Sequence, residues 1–283
     1  MTTLITPVPT RVLDHLNPVA LVATLWAHRD LILQFTRREI QGRYRGSWFG
    51  LFWTWVNPIV LLITYTFVFG VVFRARWSQA NSGSVADYAL TLFCGLTAFN
   101  VLGECLNRAP ALVVGVPNYV KKVAFPLEIL PVSLLGSALF HGLASLGILV
   151  VACLLTGQPL RPTVLLLPVV AIPLAFLTLG LTWFLASLGV FIRDIGYVIG
   201  LAIQIALFGT PIFYPLEIVP DWLRPIMRLN PLTSIVENFR RVILWGALPN
   251  WAELWMWMLL SGAIMLLGYA WFTKTKKAFA DVI

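Results

Sequence analysis

Residues 129–155 and 162–191 contain no Asp, Glu, Lys or Arg. Crossing the hydrocarbon core of a bilayer takes about 20 apolar residues, and both runs exceed that. Four further apolar stretches, 49–73, 88–106, 196–213 and 251–273, complete a set of six expected spans. The second and fifth of the six, 88–106 and 196–213, sit near the short limit. The run 162–191 is long, and Pro168 and Pro173 inside it predict a kink or tilt. Composition agrees: 59% of the chain is hydrophobic and 11% is charged, against about 25% charged in a soluble domain. So few charges cannot cover a soluble surface. Disorder, a secreted disulfide scaffold and an ordinary cytosolic enzyme are excluded. The expected fold is all-α: a polytopic membrane protein forming a single transmembrane domain over 1–283.

The net charge is +8. The basic residues mostly flank apolar runs, so membrane topology explains them better than nucleic acid does. Six spans put both ends on one side. With the ends inside, thirteen of the 20 Lys and Arg residues face the cytoplasm and seven face out, which favours both termini cytoplasmic. The first 20 residues lack the basic-then-apolar pattern expected of a cleavable leader, because Pro7, Pro9, Arg11 and Asp14 break the apolar start. Cys94, Cys105 and Cys153 lie in apolar stretches without CxxC spacing and read as packing residues, neither metal site nor disulfide.

The segments between spans carry most of the information. Residues 214–245 hold Pro215, Pro220, Pro225 and Pro231 among seven charges. No lipid-facing helix can contain that set, so short helices dipping in and out on the outer side are expected. Asn230-Pro231 should break between two of them, and Glu237 should pair with Arg240 or Arg241. Residues 21–41 are amphipathic at helical spacing, with Leu21, Leu25, Ile32 and Phe35 near one face and Arg29, Asp30, Arg37, Arg38 and Glu39 mostly on the other. This segment is too charged to span and should lie at the cytoplasmic interface, either bearing on a partner or as a plain anchor. Residues 42–48, Gly-Arg-Tyr-Arg-Gly-Ser-Trp, form a glycine-hinged basic turn into the first span.

Asn107, Arg108 and Pro110 begin an expected loop after the second span, which continues to 118–126. That stretch sets Asn118, Tyr119, Val120, Val123 and Phe125 beside Lys121 and Lys122. Bulky apolar residues next to charge mark an interaction surface, or else a loop packed on the protein's own helices. A tiny loop with Arg193 and Asp194 falls on the same face, as part of a docking surface or as a topology anchor.

Motifs for chemistry are absent. No Gly-Lys dipeptide occurs, so the chain has no Walker-type phosphate loop. HExxH and GxSxG are also missing. Glu104 stands four residues before Arg108, a spacing that allows an ion pair at the inner end of the second span. His141 reads as a packing or hydrogen-bonding residue. No charge falls near mid-span and no internal repeat is visible, so the energy source lies elsewhere than in an ion gradient. Aromatic residues make up 13% of the chain. Phe52, Trp53, Tyr65 and Phe69 in the first span, with Phe208, Phe213 and Tyr214 at the fifth, could line a path on which sugar rings slide. Alternatively they face lipid or core.

Six motifs occur in order between these spans: 38–47 (REIQGRYRGS), Asn57-Pro58, 118–131 (NYVKKVAFPLEILP), 191–195 (FIRDI), 211–215 (PIFYP) and 229–233 (LNPLT). Each is weak alone. Together they resemble the membrane subunits of ABC-type polysaccharide exporters, within the ABC type-two permease class. The resemblance covers about residues 25–275 and is nearest to O-antigen and lipopolysaccharide exporters, with capsule and teichoic acid exporters as near relatives. It implies a permease dimer with two ATP-binding cassette subunits. ATP and magnesium would sit on those partners, and this chain would have no cofactor or catalytic residue of its own. It implies that 118–126 is the segment seated in the ATPase, with Arg193, Asp194 and the helix bearing Arg37, Arg38 and Glu39 close by. It implies re-entrant periplasmic gate helices around Pro211, Pro215, Trp222, Asn230 and Pro231, a lipid-linked polysaccharide as cargo, and the bacterial inner membrane as location. The rival readings are a lipid or drug exporter of the same class, an ion-coupled secondary transporter and a membrane glycosyltransferase.

Overall fold

The computed structural model describes residues 17–73, 77, 84–121 and 125–283. Their regular structure is all helical, with no strand among them. Arg74, Arg76 and Lys122 lie outside the described residues. Five helical segments are long and apolar enough to cross a membrane: Gly50–Val72, Val85–Leu112, Ile129–Leu155, Pro162–Phe191 and Trp251–Val282.

The chain enters through α1 (Pro18–Ala27), with Pro18 at its first turn and the Asn17 side chain accepting from Val19 and Ala20 N–H. The amphipathic stretch is two helices rather than one. It breaks at His28, whose Nδ1 lies 2.8 Å from the Thr24 carbonyl. Beyond the break, α2 (Arg29–Arg43) runs lengthwise on the helix 129–155, with Thr36 against Gly136 and Ser133. Gly42 belongs to α2. The turn into the first span is made at Gly46 and Gly50, with φ of 85° and 50°, a region L side chains avoid.

The first span is built from a 3-10 turn at Gly50–Phe52, α3 (Trp53–Tyr65) and a π-helical stretch at Thr66–Val72. It is peripheral: 6% of its apolar window is buried, against 89% for α4 (Val85–Leu112). Ser84 caps α4 through the Asp87 N–H. The helix α4 is the hub of the bundle, touching α6 (Ile129–Leu155), α7 (Leu167–Phe191), α8 (Ile195–Gly209) and α10 (Pro231–Arg240). It also runs further than the sequence implies. Asn107, Arg108 and Pro110, expected in a loop, are helical, and only 113–116 separate α4 from the short α5 (Pro117–Lys121).

Pro162–Leu166 is a 3-10 turn leading into α7, so Pro168 sits in the first turn, where its missing N–H costs no helical bond. Pro173 alone is interior. Glycines bring α7 against its neighbours. A Cβ on Gly268 of α11 (Trp251–Thr275) would lie 2.1 Å from the Gly180 carbonyl oxygen, and one on Gly189 would lie 2.2 Å from that of Pro110. Small residues at such crossings let membrane helices pack backbone to backbone.

The expected span 196–213 is shorter in the structure. Helix α8 has 15 residues, about 22 Å at 1.5 Å per residue, against a hydrocarbon core of about 30 Å. It stops because Pro211 cannot donate and forces Thr210 out of the helical region, to ψ 138°. Thr210–Phe213 continue as buried irregular backbone. The segment after it is a series of short elements: a 3-10 turn at Leu216–Ile218, α9 (Arg224–Arg228), α10 and a π-helical turn at Arg241–Trp245. The chain ends in α12 (Phe279–Val282).

Candidate functional site

At the end of the bundle that carries α1, α2 and α5, which is also its more basic end, the short helix α5 is fastened to α2 by rings. Tyr119 lies 4.7 Å from Phe125 and 5.7 Å from Phe35, and Phe35 lies 5.1 Å from Phe125. Arg38 Nη1 donates to the Tyr119 hydroxyl at 3.1 Å and stands over both the Phe35 and Tyr119 rings. Tyr119, Val120 and Phe125 therefore turn inward, while Asn118 and Lys121 are exposed. Arg193 and Asp194 are exposed in the turn between α7 and α8. The C-terminus lies at the same end, as six expected spans imply; what sequence reasoning missed is that it packs into this surface. Phe279 is fully buried against Phe272 and Phe191, α12 lies beside α5, and Lys276 pairs with Glu128 at 3.0 Å. The apolar Phe279, Val282 and Ile283 after three lysines were the available signal.

Above this surface, α2, α4 and α6 share a charged cluster. Glu104 pairs with Arg108 at 3.9 Å, as its spacing allows, but its nearer partners are Arg43 at 2.5 Å and His141 at 3.1 Å. Arg108 also pairs with Glu39. The Tyr44 hydroxyl accepts from Thr54 at 2.9 Å and lies 3.4 Å from His141 Nε2. Two cavities flank this cluster, and Arg43 and Glu104 line both. One, of about 1310 Å³, includes Arg37, Arg38, Glu39, Arg45 and Arg108. The other, of about 540 Å³, reaches between α3, α4 and α6 and is lined by amides, hydroxyls and apolar side chains.

The opposite end is organised by one arginine. Arg240 is fully buried, and its guanidinium donates to the carbonyls of Thr91 (3.1 Å), Pro211 (2.8 Å) and Ile212 (3.0 Å). It stands over the Trp77 ring at 4.3 Å, with Glu237 at 3.7 Å. The pairing with Glu237 matches the sequence spacing; the carbonyl fork was not legible. Asn230 accepts from Leu232 N–H at the start of α10 and donates to Thr210 Oγ1 at 3.0 Å, with Pro231 at the first helical position. Pro215 leads into the 3-10 turn in extended backbone, and Trp222 is exposed.

The expected path aromatics fall into two groups. Phe213 stacks on Phe69 at 5.1 Å and on Phe208 at 5.5 Å, with Tyr65 edge-on at 5.6 Å. Tyr214 donates to the Phe208 carbonyl at 2.5 Å, so it joins this group. Phe52 and Trp53 instead gather around Phe49 at the start of the first span.

A family model described as ABC-2 type transporter matches residues 30–244. The chain belongs to the ABC-2 type transporter family. It is therefore a multi-pass membrane transport component. An O-antigen export system permease protein from Myxococcus xanthus is 27% identical over 267 residues, covering 94% of this chain and 100% of the relative. Two from Klebsiella pneumoniae are each 25% identical, covering 90% of this chain and 95% of each relative. The match to the ABC-2 model takes in α2, the charged cluster, α5 and Arg240.

Proposed function

We propose that this chain is the permease subunit of an ATP-driven exporter, moving a lipid-linked polysaccharide of the O-antigen type across the bacterial inner membrane. Two copies would work with two separate ATP-binding cassette subunits that hold ATP and magnesium, and both termini would face the cytoplasm. The observation that carries the reading is the likeness, nearly end to end, to O-antigen export permeases within a family that shares the fold.

The geometry supports a mechanism. Asn118, Lys121, Arg193 and Asp194 offer the exposed surface on which an ATPase would bear. Motion of α5 passes through Tyr119 and Phe125 to Phe35 and Arg38 of α2. From there, Thr36 meets α6, and the Glu39–Arg108 pair meets the hub helix α4. At its far end α4 holds Arg240 through the Thr91 carbonyl, and Arg240 holds Pro211 and Ile212. The backbone from Pro211 to Pro215 and the helices after Asn230-Pro231, with Trp222 between, act as the outer gate. The Tyr65, Phe69, Phe208 and Phe213 rings stand beside it as the apolar wall of the path.

In cells carrying this chain, deletion should leave completed polysaccharide on its lipid inside the cell, and reintroducing the chain should restore surface polymer. Unchanged surface polymer in the deletion strain would retire the reading.

A further inference from the structure

The far end holds a cavity of its own, of about 470 Å³, within the roughly 300–1000 Å³ of a usual small-ligand pocket. Two polar helix faces build it. Ser234, Glu237, Asn238 and Arg241 recur at i, i+3, i+4 and i+7, so α10 and the turn after it present them on one side. Asn250, Glu253 and Trp257 recur in the same way at the start of α11. The floor is buried and includes Pro211 and Arg240, while Glu217, Arg228 and Glu253 stand exposed at the mouth.

The charges and the free hydrogen-bonding groups say what fits. Three carboxylates, Glu217, Glu237 and Glu253, face three guanidinium groups, Arg228, Arg240 and Arg241, so formal charge balances. Neither an anion nor a cation gains net attraction from such a set. Among the described residues, no three carboxylate, His or Cys side chains lie close enough to hold a metal ion. Much of the polar lining is spent internally. Arg240 is taken by its carbonyls, and Arg241 Nε by the Leu248 carbonyl. Asn238 donates to the Ser234 carbonyl at 2.9 Å and accepts from Asn250 N–H at 2.7 Å.

Three groups are not spent. Arg228 forms no hydrogen bond or ion pair with a described residue. The Glu253 carboxylate accepts the Ser234 hydroxyl at 3.1 Å and has no cationic partner among the described residues. Trp257 is only 9% exposed and lines the cavity, yet its indole N–H has no acceptor among them. An indole N–H can only donate, and a buried one usually finds a partner. Two donors and one acceptor at balanced charge suit a ligand that both accepts and donates without charge of its own. A sugar hydroxyl does that. At the rim, the exposed side chains of Leu229 and Met256 offer apolar surface to the C–H faces of the ring.

We infer that this cavity binds a short, uncharged stretch of saccharide, held against the backbone at Pro211. This rests on the exporter reading, whose cargo it deepens: the polymer gains a contact at the exit end of the path.

The test is equilibrium binding to the full-length chain in nanodiscs. The probe is a set of short oligosaccharides, free of lipid and phosphate, released by mild acid from the polymer of cells carrying this chain. Arg228→Gln with Glu253→Gln should weaken binding about tenfold or more, because two charge-assisted contacts are lost. Arg228→Lys alone should retain part of the affinity. Trp257→Phe keeps an apolar ring, removes the donor and should weaken binding about fivefold. Arg228 and Glu253 are exposed, and Gln at 253 still accepts from Ser234, so the melting temperature of the Gln pair should stay at the parent value. That separates lost contact from lost fold. Glycerol phosphate oligomers should not compete. Equal binding by the Gln pair would overturn the inference, as would equal competition by those anions, or no binding by the parent up to about 10 mM. The assay involves no transport. Failed binding by a chain whose deletion traps polymer inside the cell would retire this inference alone. Binding that depends on Arg228 and Glu253, in a chain whose deletion leaves surface polymer unchanged, would retire the exporter reading alone.

Discussion

At the basic end, Glu104 meets Arg43, Arg108 and His141, and the two guanidinium side chains are 43% and 40% exposed. At the far end, the Arg240 side chain is 1% exposed and meets three backbone carbonyls, a tryptophan face and one glutamate. The chemistry is the same, a guanidinium tying helices together, but the consequences differ. Exposed pairs are screened, cheap to break and free to exchange partners. A buried arginine has no water to fall back on, so its acceptors fix it in one place. The exposed guanidinium groups of the basic end are therefore free to exchange partners. The far end holds α4, α10 and the 211–215 backbone in one arrangement.

The largest effect should come from removing the buried member. Arg240→Met keeps apolar bulk but strips three carbonyls of their donors and leaves Trp77 without its cation. The expected loss is about 3 kcal/mol, in the range for breaking a buried charged network. Thermal unfolding of the purified chain in detergent should show it. Arg240→Lys, which keeps the charge but not the fork, should fall between. A Met variant as stable as the parent would mean that the carbonyls find other partners, and the contrast between the ends would dissolve.

A smaller effect is expected at the basic end. Glu104→Gln should cost about 1–2 kcal/mol, the scale of hydrogen bonds to a partly exposed charge. A double-mutant cycle with Arg43→Gln should give a coupling of about 1 kcal/mol. That coupling should shrink as salt is raised to about 1 M, where the screening length falls to about 3 Å. The Arg240 deficit should not respond. Equal salt sensitivity at both ends would show that water reaches Arg240.

Much of this architecture is legible in the chain itself. The run 129–155 is free of charge, and the helix has the same bounds, because hydrocarbon thickness sets the length of an apolar run. Other features depend on partners far along the chain. From sequence, Arg240 is one of two candidate partners, with Arg241, for Glu237 three residues back. Its real acceptors lie 149 and 29 positions away. Arg108 and Pro110 read as loop residues, but Gly189 lets α7 press on Pro110 and the helix continues. The aromatic residues of the expected path could be picked out by type, and Phe52 and Trp53 stand apart from Phe213 because they sit at opposite ends of their spans; that Phe213 stacks on Phe69 and Phe208 depends on the turn at Thr210. In residues 118–126, the mixture of apolar and basic residues was visible. That Tyr119 and Phe125 point inward, leaving Asn118 and Lys121 outside, is decided by Phe35 on another helix.

That inward packing yields the smallest and most discriminating prediction. Tyr119→Phe removes only the hydroxyl that accepts from Arg38 and keeps the ring against Phe35 and Phe125. The bond is exposed, so its loss should cost about 0.5 kcal/mol, at the low end for a hydrogen bond, and export should stay near the parent level. Tyr119→Ala also removes the ring contacts, worth about 0.5–1.5 kcal/mol per aromatic pair beyond their buried area. It should uncouple α5 from α2 and lower both export and ATPase co-purification. If the Phe variant were as impaired as the Ala variant, the Arg38 contact rather than the ring cluster would carry the motion. The basic end would then depend on directed hydrogen bonding by one arginine, as the far end does on the three carbonyl bonds of Arg240.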